Sequence, residues 1–291
     1  MYYFFSLLAG ILIAVMVAVN GGLVGHTGMY SGVVMIHVSG LAIITVITLI
    51  KREWPFAKRQ AWYLYLGGAI GVATIVFNSL AFGRISVSAM LALGLLGESV
   101  TGLVVDQYGL LGMPRHPFLK WKAAGLLLIA GGIVSMVSTF VLLPVLVSFL
   151  CGVNIVISRT LNAKLASRTS IRVSTFFNYL VGTSGAVLLY LLLGRQETGF
   201  SHFALSPDLH IYLGGALGVC IVLVSNHIVM KVPALYLSLL LFTGQVFASV
   251  IIDAIIAQAF SLRILMGGVF VAAGLCVNLM IDRRKTKVNP A

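Results

Sequence analysis

Apolar runs of about 18 residues or more recur from one end of this chain to the other, separated only by short breaks that hold most of the basic residues. In hydrocarbon every backbone N–H and C=O of such a run must be satisfied internally, so the structure open to it is an α-helix. Transmembrane β-strands would read as ~10-residue segments of alternating apolar and polar residues, a pattern missing here. With 60% hydrophobic and 9% charged residues, an ordinary soluble domain is excluded. The expected fold is an all-α integral membrane protein. Ten transmembrane helices are expected over about 2–20, 31–50, 62–83, 86–105, 121–140, 143–161, 173–194, 209–230, 233–256 and 262–281.

The formal net charge of +12 is not the footprint of a nucleic-acid binder, because its cations sit in the breaks between spans. With the N-terminus in the cytoplasm, sixteen of the nineteen lysines and arginines fall on the cytoplasmic side. Only Arg84, Arg195 and Arg263 fall outside. That asymmetry predicts a multi-pass protein of the cell inner membrane with both termini cytoplasmic. Trp54, Trp62 and Trp121 gather at the same boundary, where amphipathic rings prefer to lie. The N-terminus, Met1-Tyr2-Tyr3-Phe4-Phe5, has no basic n-region, so the first span is expected to be retained. Cys151, Cys220 and Cys276 fall inside spans without paired spacing; they read as apolar packing, with no disulfide and no metal site.

The chain repeats itself. Tyr65-Leu66-Gly67-Gly68-Ala69-Ile70-Gly71-Val72 returns as Tyr212-Leu213-Gly214-Gly215-Ala216-Leu217-Gly218-Val219, an offset of 212 − 65 = 147. At that offset Gly97 meets Gly244, Glu98 meets Gln245 and Asp106 meets Asp253. Earlier in each half the offset is 142: Asn20 meets Asn162, Gly40 meets Gly182 and His37 meets Tyr179. The expected organisation is therefore a first five-span repeat over 1–141 and a second over 142–291 ending in a short basic tail. Five is odd, so the halves enter the membrane in opposite senses. Inverted-topology repeats of this kind are a common architecture of secondary transporters, with the site near the midplane.

Gly97-Glu98-Ser99, then Asp106-Gln107-Tyr108-Gly109-Leu110-Leu111-Gly112-Met113-Pro114 and a glycine-rich last span, resembles the YdcZ-like family. That family belongs to the drug/metabolite transporter (DMT) superfamily. Its usual members are five-span proteins, and this chain looks like two such units fused head to tail. The resemblance implies a carrier of drugs or metabolites. The family pattern more usually has glutamine where Glu98 stands, as Gln245 does in the second half. The second half also lacks the glycine-proline segment after its aspartate.

Among seven acids, Glu98 is the one set deepest in an apolar run. A charge at the bilayer centre costs at least ~2.5–3.5 kcal/mol, which makes an intramembrane acid a functional candidate by default. Gly94, Gly97, Thr101 and Gly102 surround it with small side chains that let a helix or a solute come close. Gln245 holds the matching place in the other half and can orient a ligand without carrying charge. Asn20 and Asn162 are expected at span ends, capping or lining a mouth, and His37 and Tyr179 as a polar pair. Asp106 and Asp253, at span ends, read as anchors or loop caps. Neither His37 nor His227 has a second ligand at metal spacing. Walker, His-Glu-x-x-His and Gly-x-Ser-x-Gly patterns are missing, so no enzyme and no cofactor is expected.

These residues point to a secondary transporter that moves a small organic solute, a cationic drug or a metabolite, by alternating access. Its partners are the solute, protons and membrane lipids. Proton-coupled export is the expected direction, and a monomer already holding both halves is complete in principle, with a homodimer equally compatible. Two alternatives stand beside it: a passive facilitator or lipid flippase in which Glu98 only hydrogen-bonds, and a membrane scaffold subunit that transports nothing.

Overall fold

The computed structural model describes residues 1–81, 84–85, 87–116, 123–136, 141–197, 208–252 and 262–288. Among these the architecture is all-helical: α1 (Tyr2–Thr27), α2 (Met29–Ile50), α3 (Gly67–Ala81), α4 (Val87–Tyr108), α5 (Ala123–Met136), α6 (Leu142–Arg168), α7 (Ile171–Leu193), α8 (Gly214–Ile228), α9 (Ala234–Ile252) and α10 (Leu262–Val288). Six of the described helices are long and apolar enough to cross a membrane: α1, α2, α6, α7, α9 and the combined helix 209–228. Asp253, Trp121 and the parts of the expected spans over 82–83, 137–140 and 253–256 lie outside the described residues.

Four boundaries differ from the hydropathy reading. Helices α1 and α6 run on to Thr27 and Arg168, beyond the expected ends near 20 and 161. Helical hydrogen bonding does not stop where hydropathy falls, and Lys164 and Arg168 have stems long enough to carry their charges outward. Asn20 and Asn162 are thereby helix-interior residues. The expected spans at 62 and 209 begin as 3-10 turns, Trp62–Leu66 and Leu209–Leu213. The α-helix proper starts at the double glycine in both cases, so Gly67–Gly71 and Gly214–Gly218 form the first turns of their α-helices.

The chain divides into two compact units, and each draws residues from both sequence halves. The first comprises 1–11, 74–156 and 231–291. Here α5 packs along α10 more extensively than any other described pair, and α4 packs on α9. The backbones come together at glycines: a Cβ on Gly132 would lie 2.7 Å from the Gly267 carbonyl oxygen, and one on Gly274 would strike the Gly125 carbonyl. Leu237, Leu239 and Leu241 of α9 fill the interior.

The second unit comprises 12–73 and 157–230, with α2 against α7 and α8. Its core gathers Ile44, Leu64, Leu161, Leu165, Phe176 and Phe177. Between α1 and α2 the chain turns at Gly28, whose φ of 92° is in the region open chiefly to glycine.

Close contacts within each unit come in reciprocal pairs that follow the sequence repeat. In the second unit Tyr179 lies over Gly40 while His37 lies over Gly182, at 2.9 Å from where a Cβ would be. The Asn162 carboxamide abuts Gly67, and the Asn20 carboxamide abuts Gly214. In the first unit Gly97 meets the Phe149 carbonyl and Gly244 meets that of Leu7, while Gly152 meets Gly94 and Gly10 meets Leu241. Subtracting gives 149 − 7 = 142 and 244 − 97 = 147, the two offsets of the repeat. A side chain at any of these glycines would force helices apart that van der Waals packing holds together.

Candidate functional site

The expected site residues sort into two sets, one in each unit. In the first unit, Gly94, Gly97, Glu98 and Thr101 lie on α4 and Gln245 on α9. Gly97 packs under α6 at Phe149, and Gly152 of α6 comes back against the Gly94 carbonyl and the Glu98 backbone nitrogen. This tight crossing fixes where the Glu98 side chain leaves its helix.

Val100 and Val104 form the exposed stripe of α4. At 100° per residue Glu98 lies roughly 120–160° around the helix from both. It is nevertheless only half-buried. On α9, Gln245 is also half-buried, and the exposed residues near it are Phe247 and Ile251, the repeat equivalents of Val100 and Val104. An acid and an amide thus occupy equivalent places on two helices, each turned away from the exposed stripe of its own helix.

The second set lies around α2, α6 and α7. Asn162 Nδ2 donates to Asn178 Oδ1 at 2.8 Å, and the Ser174 hydroxyl donates to the Asn162 carbonyl at 2.6 Å. Asn226 Nδ2 reaches the Thr175 hydroxyl at 3.3 Å. The rings of His37 and Tyr179 stand 6.0 Å apart between centroids, and His37 Nδ1 is 3.0 Å from the Val33 carbonyl. With that nitrogen donating, Nε2 is the acceptor.

The repeat is broken at the polar contacts. Asn178 is matched by Ile36, so Asn20 lacks the amide partner that Asn162 has. Among the described residues its Oδ1 is buried without a hydrogen bond. Ser158, which donates to the Gly67 carbonyl at 2.7 Å, is matched by Met16.

Three other acids serve the architecture, a role that sequence reasoning assigned only in part to Asp106 and missed for the rest. Asp106 is 4% exposed and accepts from the backbone N–H groups of Ala234 and Leu235 at 2.8 and 2.9 Å. It ends α4 and caps the N-terminus of α9, where a carboxylate is favoured by the unpaired N–H groups and the helix dipole. Gly109, with φ 62°, ends α4 in the left-handed conformation, and His116 then donates its N–H to the Asp106 carbonyl at 2.7 Å. The Asp106–Pro114 motif is thus a cap and the turn that holds it.

Glu197 accepts from the N–H groups of Tyr30 and Ser31 at 3.0 and 2.8 Å, capping α2. Glu53 accepts from Ser170, the N-cap of α7, and from Arg172. The Arg172 guanidinium, which hydrogen-bonds it, holds the Glu53 carboxyl below its ordinary value, against partial desolvation. Each cap is 117 or more residues from its partner in sequence, beyond any local pattern.

No curated protein sequence matches the chain. A solved crystal structure of another protein, 16% identical, aligns over 97% of this chain and 96% of its own with a TM-score of 0.70, a likeness of fold. One family model, described as "Putative inner membrane exporter, YdcZ", matches residues 1–135 and matches again over 143–277, the same 142-residue step that relates Asn20 to Asn162 and Gly40 to Gly182. The chain therefore belongs to the YdcZ family of the drug/metabolite transporter superfamily and carries that family's unit twice.

Proposed function

We propose that this membrane transporter is a secondary active exporter. It has ten spans in two five-helix repeats of inverted topology, and alternates access around Glu98 and Gln245. The solute is a small organic molecule, cationic or rich in hydrogen-bonding groups, exchanged for protons at Glu98. The observation that carries the reading is the placement of Glu98: half-exposed, deep in α4, yet roughly 120–160° from the Val100–Val104 stripe. An acid that only stabilised a helix contact would be buried, and one that met lipid would be costly. Half-exposure on the non-lipid side fits a group reached by water and solute. The reciprocal glycine contacts support inverted repeats, since equivalent faces meet in both directions. Gln245 supplies an uncharged polar group in the equivalent place, so one carboxyl carries the proton.

The test is transport in proteoliposomes with an imposed pH gradient, using tetraphenylphosphonium as the cationic probe and a trapped dye to report proton movement. Wild type is expected to couple probe efflux to proton entry, and Glu98→Gln to lose the coupling. Undiminished coupled movement in Glu98→Gln would remove Glu98 from the mechanism. Flux indifferent to pH in both proteins would favour a facilitator, in which Glu98 only hydrogen-bonds.

A further inference from the structure

A cavity of about 310 Å³ opens where the loop after α2 meets the start of α7, and none of its lining residues was assigned to transport above. Its wall is rigid. Phe56 of the loop stacks edge-on against Phe176 and Phe177 at 5.9 and 5.4 Å, and the Gln60 N–H is bonded to the Tyr65 hydroxyl at 3.0 Å. The polar groups lining it divide sharply into those in use and those that are not. Both Glu53 oxygens are taken, by Arg172 and by Ser170. The Thr169 hydroxyl donates to the Leu165 carbonyl at 2.7 Å, and the Ser170 hydroxyl also accepts from the Val173 N–H. The remainder is the Lys58 ammonium and the Trp54 indole N–H, which have no partner among the described residues. Both are donors, and the indole is 64% exposed. Pro55, Ala57 and Val173 complete the lining with apolar surface.

With the Glu53 carboxylate paired to Arg172, Lys58 is the lining charge left uncompensated, and beside apolar walls it suits an anion that carries an apolar body. The loop leaves α2 at Ile50, the end of an apolar span, and also holds Lys51, Arg52 and Arg59. Basic clusters at this level are attracted to anionic lipid, and exposed tryptophans sit at the headgroup layer. We propose that this cavity binds the headgroup phosphate of an anionic phospholipid, with Lys58 as the charge contact and Trp54 as the hydrogen-bond donor. The site is independent of the transport reading, since none of its residues was assigned there.

Native mass spectrometry of the full chain in detergent, given equal amounts of phosphatidylglycerol and phosphatidylcholine, tests it. Wild type is expected to retain the anionic lipid about fivefold over the zwitterionic one, the size expected for one cation at an anionic surface. Lys58→Ala should abolish the preference with an unchanged melting temperature, since its side chain is exposed, while Arg195→Ala at the other end of α7 should keep it. Equal retention of both lipids by wild type overturns the proposal, as does a preference that survives Lys58→Ala. Loss of the preference in millimolar inorganic phosphate would also overturn it, in favour of a free-anion site.

Discussion

Asp106 gives the sharpest test of how the first unit is held. Its carboxylate receives two backbone N–H groups from the first turn of α9, at 2.8 and 2.9 Å, and is 4% exposed. In Asp106→Ala those two donors lose their acceptor in a place where water cannot readily replace it. A buried donor left unsatisfied costs about 1–3 kcal/mol, and loss of an N-cap about 0.5–2 kcal/mol. The two figures describe the same event and are not summed, so the expected loss is about 1–3 kcal/mol. Asp106→Asn keeps one carbonyl acceptor and loses the charge that the helix N-terminus favours, a cost of about 1 kcal/mol. At roughly 2 °C per kcal/mol for a chain of this size, the alanine variant should melt about 2–6 °C below wild type and the asparagine variant about 2 °C below. Thermal unfolding of the purified protein, followed by intrinsic fluorescence in one detergent, measures both. Melting of Asp106→Ala within about 1 °C of wild type would refute the capping argument, because no rearrangement short of a replacement acceptor could hide two orphaned N–H groups.

Gly97→Ala and Gly152→Ala act on the α4–α6 crossing from opposite sides. Their added Cβ atoms would meet the Phe149 and Gly94 carbonyls. Each should cost about 1–3 kcal/mol, and the double variant less than the sum, since one separation of the helices relieves both; additive melting shifts would argue against a shared crossing. The Glu53–Arg172 pair gives a pH test. Arg172 holds the Glu53 pKa below its ordinary value of 4.5, so its stabilisation is present above that pH and fades as pH falls through the lower folded value. The pair is partly exposed, so Glu53→Gln should cost only about 0.2–1 kcal/mol at pH 7. That difference should vanish in melts at the acid end; one that grew on acidification would reverse the assignment.

Much of the packing was legible because it depends on residues that cannot be exchanged. Gly40, Gly67, Gly97 and their equivalents are places where a Cβ has no room, so the repeat preserves them and the sequence displays them. Asn20 and Asn162 were visible for the same reason, but their places were misjudged. Hydropathy ends a span where charge begins, whereas α1 and α6 continue for nearly two more turns. The acidic caps were largely illegible. A capping box announces itself within four residues, but Asp106 and Glu197 cap helices of the other sequence half, and Glu53 holds the Ser170 cap of α7 from just as far. Nothing in Glu197 or in Gly28 taken alone says that the carboxylate of one lies where a Cβ of the other would be.

The pattern of what the repeat keeps and what it changes bears on function more directly than any single residue. The glycines and the Asn20/Asn162 pair agree between halves because both copies must pack in the same way. Four of the differences fall on polar positions: Glu98 against Gln245, His37 against Tyr179, Asn178 against Ile36, Ser158 against Met16. Here three of the four changes alter a hydrogen bond or an aromatic contact inside the second unit. The fourth changes the charge at a half-exposed site in the first. Two copies that pack alike while their polar interiors diverge can no longer present equal surfaces to a solute. The proton exchange proposed at Glu98 would draw on that inequality, with the carboxyl in one half and an uncharged amide in the equivalent place of the other.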